Sequence, residues 1–123
     1  IYNRRGLVFW KLGDQERAIE DYTQAISRTK GDAQVYLNNR AASYIDQGEY
    51  EKAFSDCEAA IQKPPEFANP YYHRGRGYAA LGKLELAKQD FEKAISLGPE
   101  YEEARSALER VRQELEQTAA GKG

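Results

Sequence analysis

Apolar and polar positions along this chain recur with the period of an α-helix, not of a strand. In the stretch "YYHRGRGYAALGKLELAKQDFEKAISLGP", from Tyr71 to Pro99, two amphipathic segments are broken at Gly82. The same layout occurs twice upstream. Ala87 has a counterpart 34 residues earlier at Ala53, and another 35 before that at Ala18. Ala94, Ala60 and Ala25 follow the same steps, as do Gly82, Gly48 and Gly13, then Gly75, Ala41 and Gly6, then Tyr78, Tyr44 and Phe9. Self-similarity at this period is the mark of a stacked helical repeat. Each unit is predicted to hold two helices. The first helices fall at about 1–12, 34–47 and 68–81, and the second at about 15–29, 50–63 and 84–97. Gly13, Gly48 and Gly82 end the first helices, because a left-handed backbone costs glycine little. Asp14 is placed to cap the next helix, and Pro65 and Pro99 stand where a helix cannot continue.

Residues 102–117, "EEARSALERVRQELEQ", carry one narrow apolar stripe of Ala104, Leu108, Val111 and Leu115. One apolar and one wet face suit a terminal helix that closes a stack. The last residues, 118–123, "TAAGKG", show no periodicity and are expected to form a flexible tail. The expectation is thus an all-α solenoid of seven helices: three units over 1–101 (1–32, 34–67 and 68–101) and a capping helix at 102–117.

Small residues at Gly75, Ala87 and Ala94 let two helices joined by a short turn approach closely, while Tyr78 and Phe91 fill the space beside them. Each unit also carries an arginine, Arg5, Arg40 or Arg74, followed 16 residues later by Asp21, Asp56 or Asp90. An arginine whose stem is buried needs a carboxylate for its head. Three recurrences therefore predict three equivalent Arg–Asp contacts.

Composition narrows the function. The 123 residues include 31% charged side chains of mixed sign and a net charge of −2. That balance supplies no general pull toward nucleic acid or an anionic membrane. No apolar run approaches the length of a transmembrane helix, and "IYNRRGLVFW" is not a signal peptide. The chain opens on Ile1, not Met, which reads as a fragment of a longer protein. Its one cysteine, Cys57, rules out an internal disulfide and is compatible with a reducing compartment such as the cytoplasm. Cys57 stands where the other units have Tyr22 and Phe91, so it reads as a small core residue. His73 is the only histidine, and no metal site, cofactor cradle or catalytic constellation emerges. The chain is read as a binding protein, not an enzyme.

The units resemble tetratricopeptide repeats. The family pattern is a large residue, Leu-Gly, Tyr, Ala and Phe four apart, then Pro. The third unit reads Tyr71, Arg74-Gly75, Tyr78, Ala87, Phe91, Pro99; the second Leu37, Arg40-Ala41, Tyr44, Ala53, Cys57, Pro65; the first Tyr2, Arg5-Gly6, Phe9, Ala18, Tyr22, with Lys30 in place of Pro. The resemblance implies a right-handed superhelix whose first helices line a concave groove, the family's usual ligand face. It places Asn3, Arg4, Leu7, Trp10 and Lys11 there from the first unit, and Val35, Asn38, Asn39, Ala42, Ile45 and Asp46 from the second. The third gives Asn69, Tyr72, His73, Arg76 and Ala80, with Arg110 at the end. The implied ligand is an extended peptide or protein segment with acidic residues, gripped by amides and cations, with Trp10, Tyr72 and Leu7 taking its apolar side chains.

One branch of the family clamps the acidic C-terminal tails of heat-shock chaperones with a Lys and an Asn on the first helix, an Asn on the third, and a Lys and an Arg on the fifth. The matching positions here are Asn3, Leu7, Asn39, Asn69 and His73. Only Asn39 fits, so that ligand is not expected. The alternative function is a scaffold that self-associates through its open first helix, where Ile1, Tyr2, Val8 and Trp10 are large and apolar.

Overall fold

Gly13, Gly48 and Gly82 adopt left-handed backbone angles, with φ of 81°, 79° and 78°, and each ends a first helix as its position in the repeat requires. Around these breaks the structure, a computed structural model, describes residues 2–31, 33–63 and 66–122. Ile1 and Pro65 lie outside them. The helices are α1 (Tyr2–Lys11), α2 (Gln15–Arg28), α3 (Gln34–Gln47), α4 (Tyr50–Ile61), α5 (Ala68–Ala80), α6 (Leu84–Leu97) and α7 (Glu102–Lys122). Asp14 caps α2, its side chain accepting from the backbone N–H of Arg17 at 3.2 Å. Helices α7 and its predicted counterpart differ at the C-terminal end. The helix continues through 118–122, where a flexible tail is expected. Thr118 and Ala119 sustain it, and the Thr118 hydroxyl donates to the Glu114 carbonyl at 2.9 Å, a bond one turn back that a helical residue can make.

The helices pair α1 with α2, α3 with α4 and α5 with α6; α2 also packs on α3, and α7 on α6. By contact, α1–α4 form one unit and α5–α7 another. In the first unit the buried alanines Ala18, Ala25, Ala53 and Ala60 sit where helices meet. In the second, Ala87, Ala94 and Ala104 do the same, and Phe91, Leu108 and Val111 form the core with half-buried Tyr72, Tyr78 and Leu115 packed on it.

Two positions show why the repeat demands small residues. A Cβ on Gly6 would lie 2.7 Å from the Tyr22 ring, and one on Gly75 2.6 Å from the Phe91 ring. Both distances are far inside van der Waals contact. The middle unit solves the same contact with a different pair: Ala41 and Cys57, both fully buried in one cluster with Ile45 and Ala53. Cys57 is small enough that its opposite number need not be glycine.

Directly beside each of these contacts stands an Arg–Asp pair. Arg5 donates to both oxygens of Asp21 at 2.8 Å, Arg40 to both of Asp56 at 2.7 Å, and Arg74 to both of Asp90 at 2.8 Å. All three predicted contacts form, each within one helix pair. The two-pronged geometry is the strongest available to an ion pair. It raises the pKa of Arg5 and of Arg40 through the hydrogen bonds to Asp21 and Asp56 respectively.

Tyr22 gives a measurable consequence. Burial first, and Asp21 second, push its phenol from 10.0 up to about 12. The folded state then keeps a proton that the unfolded chain gives up. Stability from this group is complete below pH 10 and is lost as the pH rises toward 12, at most about 1.4 kcal/mol per unit. Melting curves between pH 9 and 12 should show Tyr22→Phe losing less stability over this range than the wild type. Equal losses would mean that the phenol is not held neutral by the fold.

Candidate functional site

On the first unit, α1 and α3 lie side by side and are bridged twice. The Asn39 amide donates to the side-chain oxygen of Asn3 at 2.9 Å. The indole N–H of Trp10 donates to the Asp46 carboxylate at 2.8 Å. These bonds place four of the expected ligand-face residues on one surface. Arg4 and Lys11 stand exposed on the same helix, and Leu7 is half-buried. Because Asn39 already spends one amide hydrogen on Asn3, the pair leaves an oxygen of Asn39 and an NH₂ of Asn3 for a ligand. That combination matches a peptide group's donor and acceptor.

Asn38 is placed differently. It is 4% exposed, and its side-chain oxygen has no partner among the described residues. Its neighbours in sequence explain this: Asn38, Ala41, Ala42 and Ile45 occupy i, i+3, i+4 and i+7, the spacing of one buried helical face. Asn38, Ala42 and Ile45, expected at the ligand face, therefore lie on the buried face of α3. The signal was in the sequence, but the polar side chain of Asn38 obscured it. Val35 is exposed, at the outer end of the helix.

On the second unit, Tyr72 and Arg76 are half-buried on α5, and Asn69 and Ala80 are exposed at its ends. His73 is buried at 9%, on a stripe with Pro70 and Gly77 at i−3 and i+4. Arg76 Nη1 donates to His73 Nδ1 at 3.3 Å. Arg76 also lies over the Tyr72 ring, 5.8 Å from its centre, so its guanidinium is held from two sides. Tyr72 in turn packs on Tyr101, Phe91 and His73, with ring centres 4.9, 6.0 and 5.2 Å away. Burial, then Tyr72 and Glu103, raise the pKa of the Tyr101 phenol. Arg110 is exposed on α7.

The first helix offers less bare apolar surface than its sequence suggests. Trp10 is tied to Asp46, and the guanidinium groups of Arg5 and Arg28 lie 5.1 and 5.0 Å from the centre of the Tyr2 ring. Val8 and Leu12 remain exposed. Among the described residues, no group of three or more His, Cys, Asp or Glu side chains could hold a metal ion, and no helix is long and apolar enough to cross a membrane.

Two family models described as tetratricopeptide repeat match this chain, over residues 3–71 and 68–101. Human RNA polymerase II-associated protein 3 is 39% identical over 115 residues, which are 94% of this chain and 17% of that protein. The chain thus spans about a fifth or less of that relative's length. The second TPR domain of human RPAP3, solved with the HSP70 peptide SGPTIEEVD, superposes with a TM-score of 0.79 at 36% identity, covering 90% of this chain and 92% of that one. The first TPR of Spaghetti (RPAP3), bound to the HSP90 peptide SRMEEVD, gives 0.83 at 32% identity, covering 93% and 90%. Both of those relatives hold a chaperone peptide in this fold, so the exclusion of that ligand drawn from Asn3, Leu7, Asn69 and His73 rests on these side chains and not on the architecture. That ligand class is open to this fold at this level of identity.

Proposed function

Because this chain belongs to the tetratricopeptide repeat family, we propose that it is a peptide-binding module. It takes an extended acidic segment of a partner protein, of the Hsp70 and Hsp90 C-terminal type, along the ligand face of its repeat helices and without catalysis. The observation that carries this reading is the pair of relatives solved with SGPTIEEVD and SRMEEVD. The residues at hand suit such a ligand. On the first unit, Asn3 and Asn39 offer an amide donor and acceptor to a main chain, and Arg4 and Lys11 offer cations to carboxylates; on the second, Arg76 and Arg110 offer cations of their own. Leu7, Trp10 and Tyr72 offer apolar contact. The cations stand at positions other than those of the family's chaperone clamp, so the acidic residues meet a different set of charges.

Titration calorimetry with SGPTIEEVD and SRMEEVD tests this directly. Saturable binding is expected, weakened by added salt and by replacing the acidic residues with their amides. Arg76→Ala should weaken binding more than Asn39→Ala, because a charge-assisted bond contributes about 1.5–3 kcal/mol and a neutral one about 1. Only the Arg76 effect should fade strongly with salt. Absence of saturable binding by either peptide would sink the reading.

A further inference from the structure

Helices α1 and α3 are counterparts in the repeat, and their arginines begin alike. Arg5 spends Nε and Nη2 on Asp21, and Arg40 spends Nε and Nη2 on Asp56. Arg40 then places Nη1 on the Thr23 hydroxyl of α2 at 3.2 Å. Arg5 Nη1 has no such acceptor among the described residues. The difference follows from cover. Helix α2 packs on α3, and the Arg40 side chain is 20% exposed where that of Arg5 is 53%. Three residues on, Ser43 is fully buried while its counterpart Val8 is 54% exposed. Leu12, one turn beyond Val8, is exposed as well. Arg5, Val8 and Leu12 follow the spacing of one helical face. On α1 they mark the face that α3 turns to α2, here left open.

We infer that this face docks an acidic amphipathic helix of a partner protein, laid on α1 as α2 lies on α3, with a side-chain oxygen accepting from Arg5 Nη1. Charge favours that occupant. Helix α1 carries Arg4, Arg5 and Lys11 and no carboxylate. The segment that covers α3, residues 14–29, carries four carboxylates against two guanidinium groups. Burying Val8 and Leu12 removes apolar surface from water. It leaves no polar group unpaired, unlike Ser43, whose hydroxyl has no partner among the described residues. A second copy set α1 against α1 would oppose cations to cations. Asn3, Leu7 and Trp10 project from the neighbouring side of α1, with Arg4 and Lys11 at the border, because one residue turns about 100° around the helix. The docked helix and the peptide proposed above therefore occupy different faces.

The probe is α2 itself, made as a hydrocarbon-stapled peptide of residues 14–29 and titrated against the whole domain by fluorescence anisotropy. Saturable binding is expected. Thr23→Val in the peptide should weaken it about fivefold, the loss of one hydrogen bond. Val8→Glu in the domain should weaken it about tenfold or more, because a carboxylate then faces an acidic helix. Excess SGPTIEEVD should leave the stapled peptide bound. Absence of saturable binding, equal binding by wild type and Val8→Glu, or displacement by SGPTIEEVD would each overturn the inference. So would a domain that dimerises alone and becomes monomeric with Val8→Glu, since the face would then belong to a second copy. Should Val8→Glu alter the melting curve, Leu12→Glu at the more exposed position takes its place. The function proposed above is tested separately, by calorimetry with its own two peptides.

Discussion

Gly75→Leu should cost the domain about 3 kcal/mol, at the upper end of what overpacking a core contact does. Even the Cβ of an alanine at this position would sit 2.6 Å from Cε1 of Phe91 and 2.8 Å from Cδ1. The ring cannot swing away, because Phe91 is 1% exposed and packs with Leu108 and Val111. Backbone separation is then the only relief, and it opens the α5–α6 contact on both sides. Gly98 supplies the control: a Cβ there meets Ala68 at an ordinary 3.5 Å, so Gly98→Ala should be close to neutral. Chemical denaturation reads both. Pairing Gly75→Leu with Phe91→Ala should recover part of the loss, since the two changes share one contact and are not additive. A Gly75→Leu midpoint equal to the wild type would mean that this helix pair does not approach as closely as described.

That contact also shows what the sequence makes legible. Gly6 with Tyr22, Ala41 with Cys57 and Gly75 with Phe91 are three versions of one close approach, and the 34-residue register reveals all three. Helix breaks were equally plain, because a left-handed residue after a helix leaves glycine as its signature. The ligand face was harder to read. Asn38 and Asn39 are adjacent and identical, yet one is buried and the other bonds to Asn3 across the surface. One residue turns about 100° around a helix, so a register good enough for the fold can still place a polar side chain on the wrong face. His73 is similar in one respect: a lone histidine on a polar stretch reads as accessible, but it lies at 9% exposure on a stripe with Pro70 and Gly77. The Asn3–Asn39 and Trp10–Asp46 bridges join residues 36 apart. They follow from how two helices sit together, which no local pattern records. The family's clamp positions hold neutral residues here and the cations stand elsewhere, so the residue pattern alone does not fix a ligand's chemistry.

Asp56→Ala should be the most damaging change to the surface network, with a loss of about 2–3 kcal/mol. Removing one partner of a buried ion pair leaves the other charge without compensation, and about 3–5 kcal/mol is usual when both are fully enclosed. The Arg40 side chain is 20% exposed and Asp56 7%, so some water reaches the guanidinium and the lower figure applies. Arg40 also donates to Thr23 on α2 at 3.2 Å, which means that disturbing its head loosens the join between α2 and α3. Asp90→Ala should behave alike, because Arg74 and Asp90 are 21% and 8% exposed. Asp21→Ala should cost clearly less, since Arg5 is 53% exposed and regains water when its partner is lost. Equilibrium denaturation of the three variants gives the ranking, and equal losses would show that burial does not set the value of these pairs. A second comparison separates the charge from the packing. Replacing Arg40 and Asp56 together by Met and Leu should be less harmful than Asp56→Ala alone, because no lone charge remains in the helix contact. Arg40→Lys should retain little of the pair's stabilisation, since an ammonium cannot reproduce the two parallel bonds to Oδ1 and Oδ2.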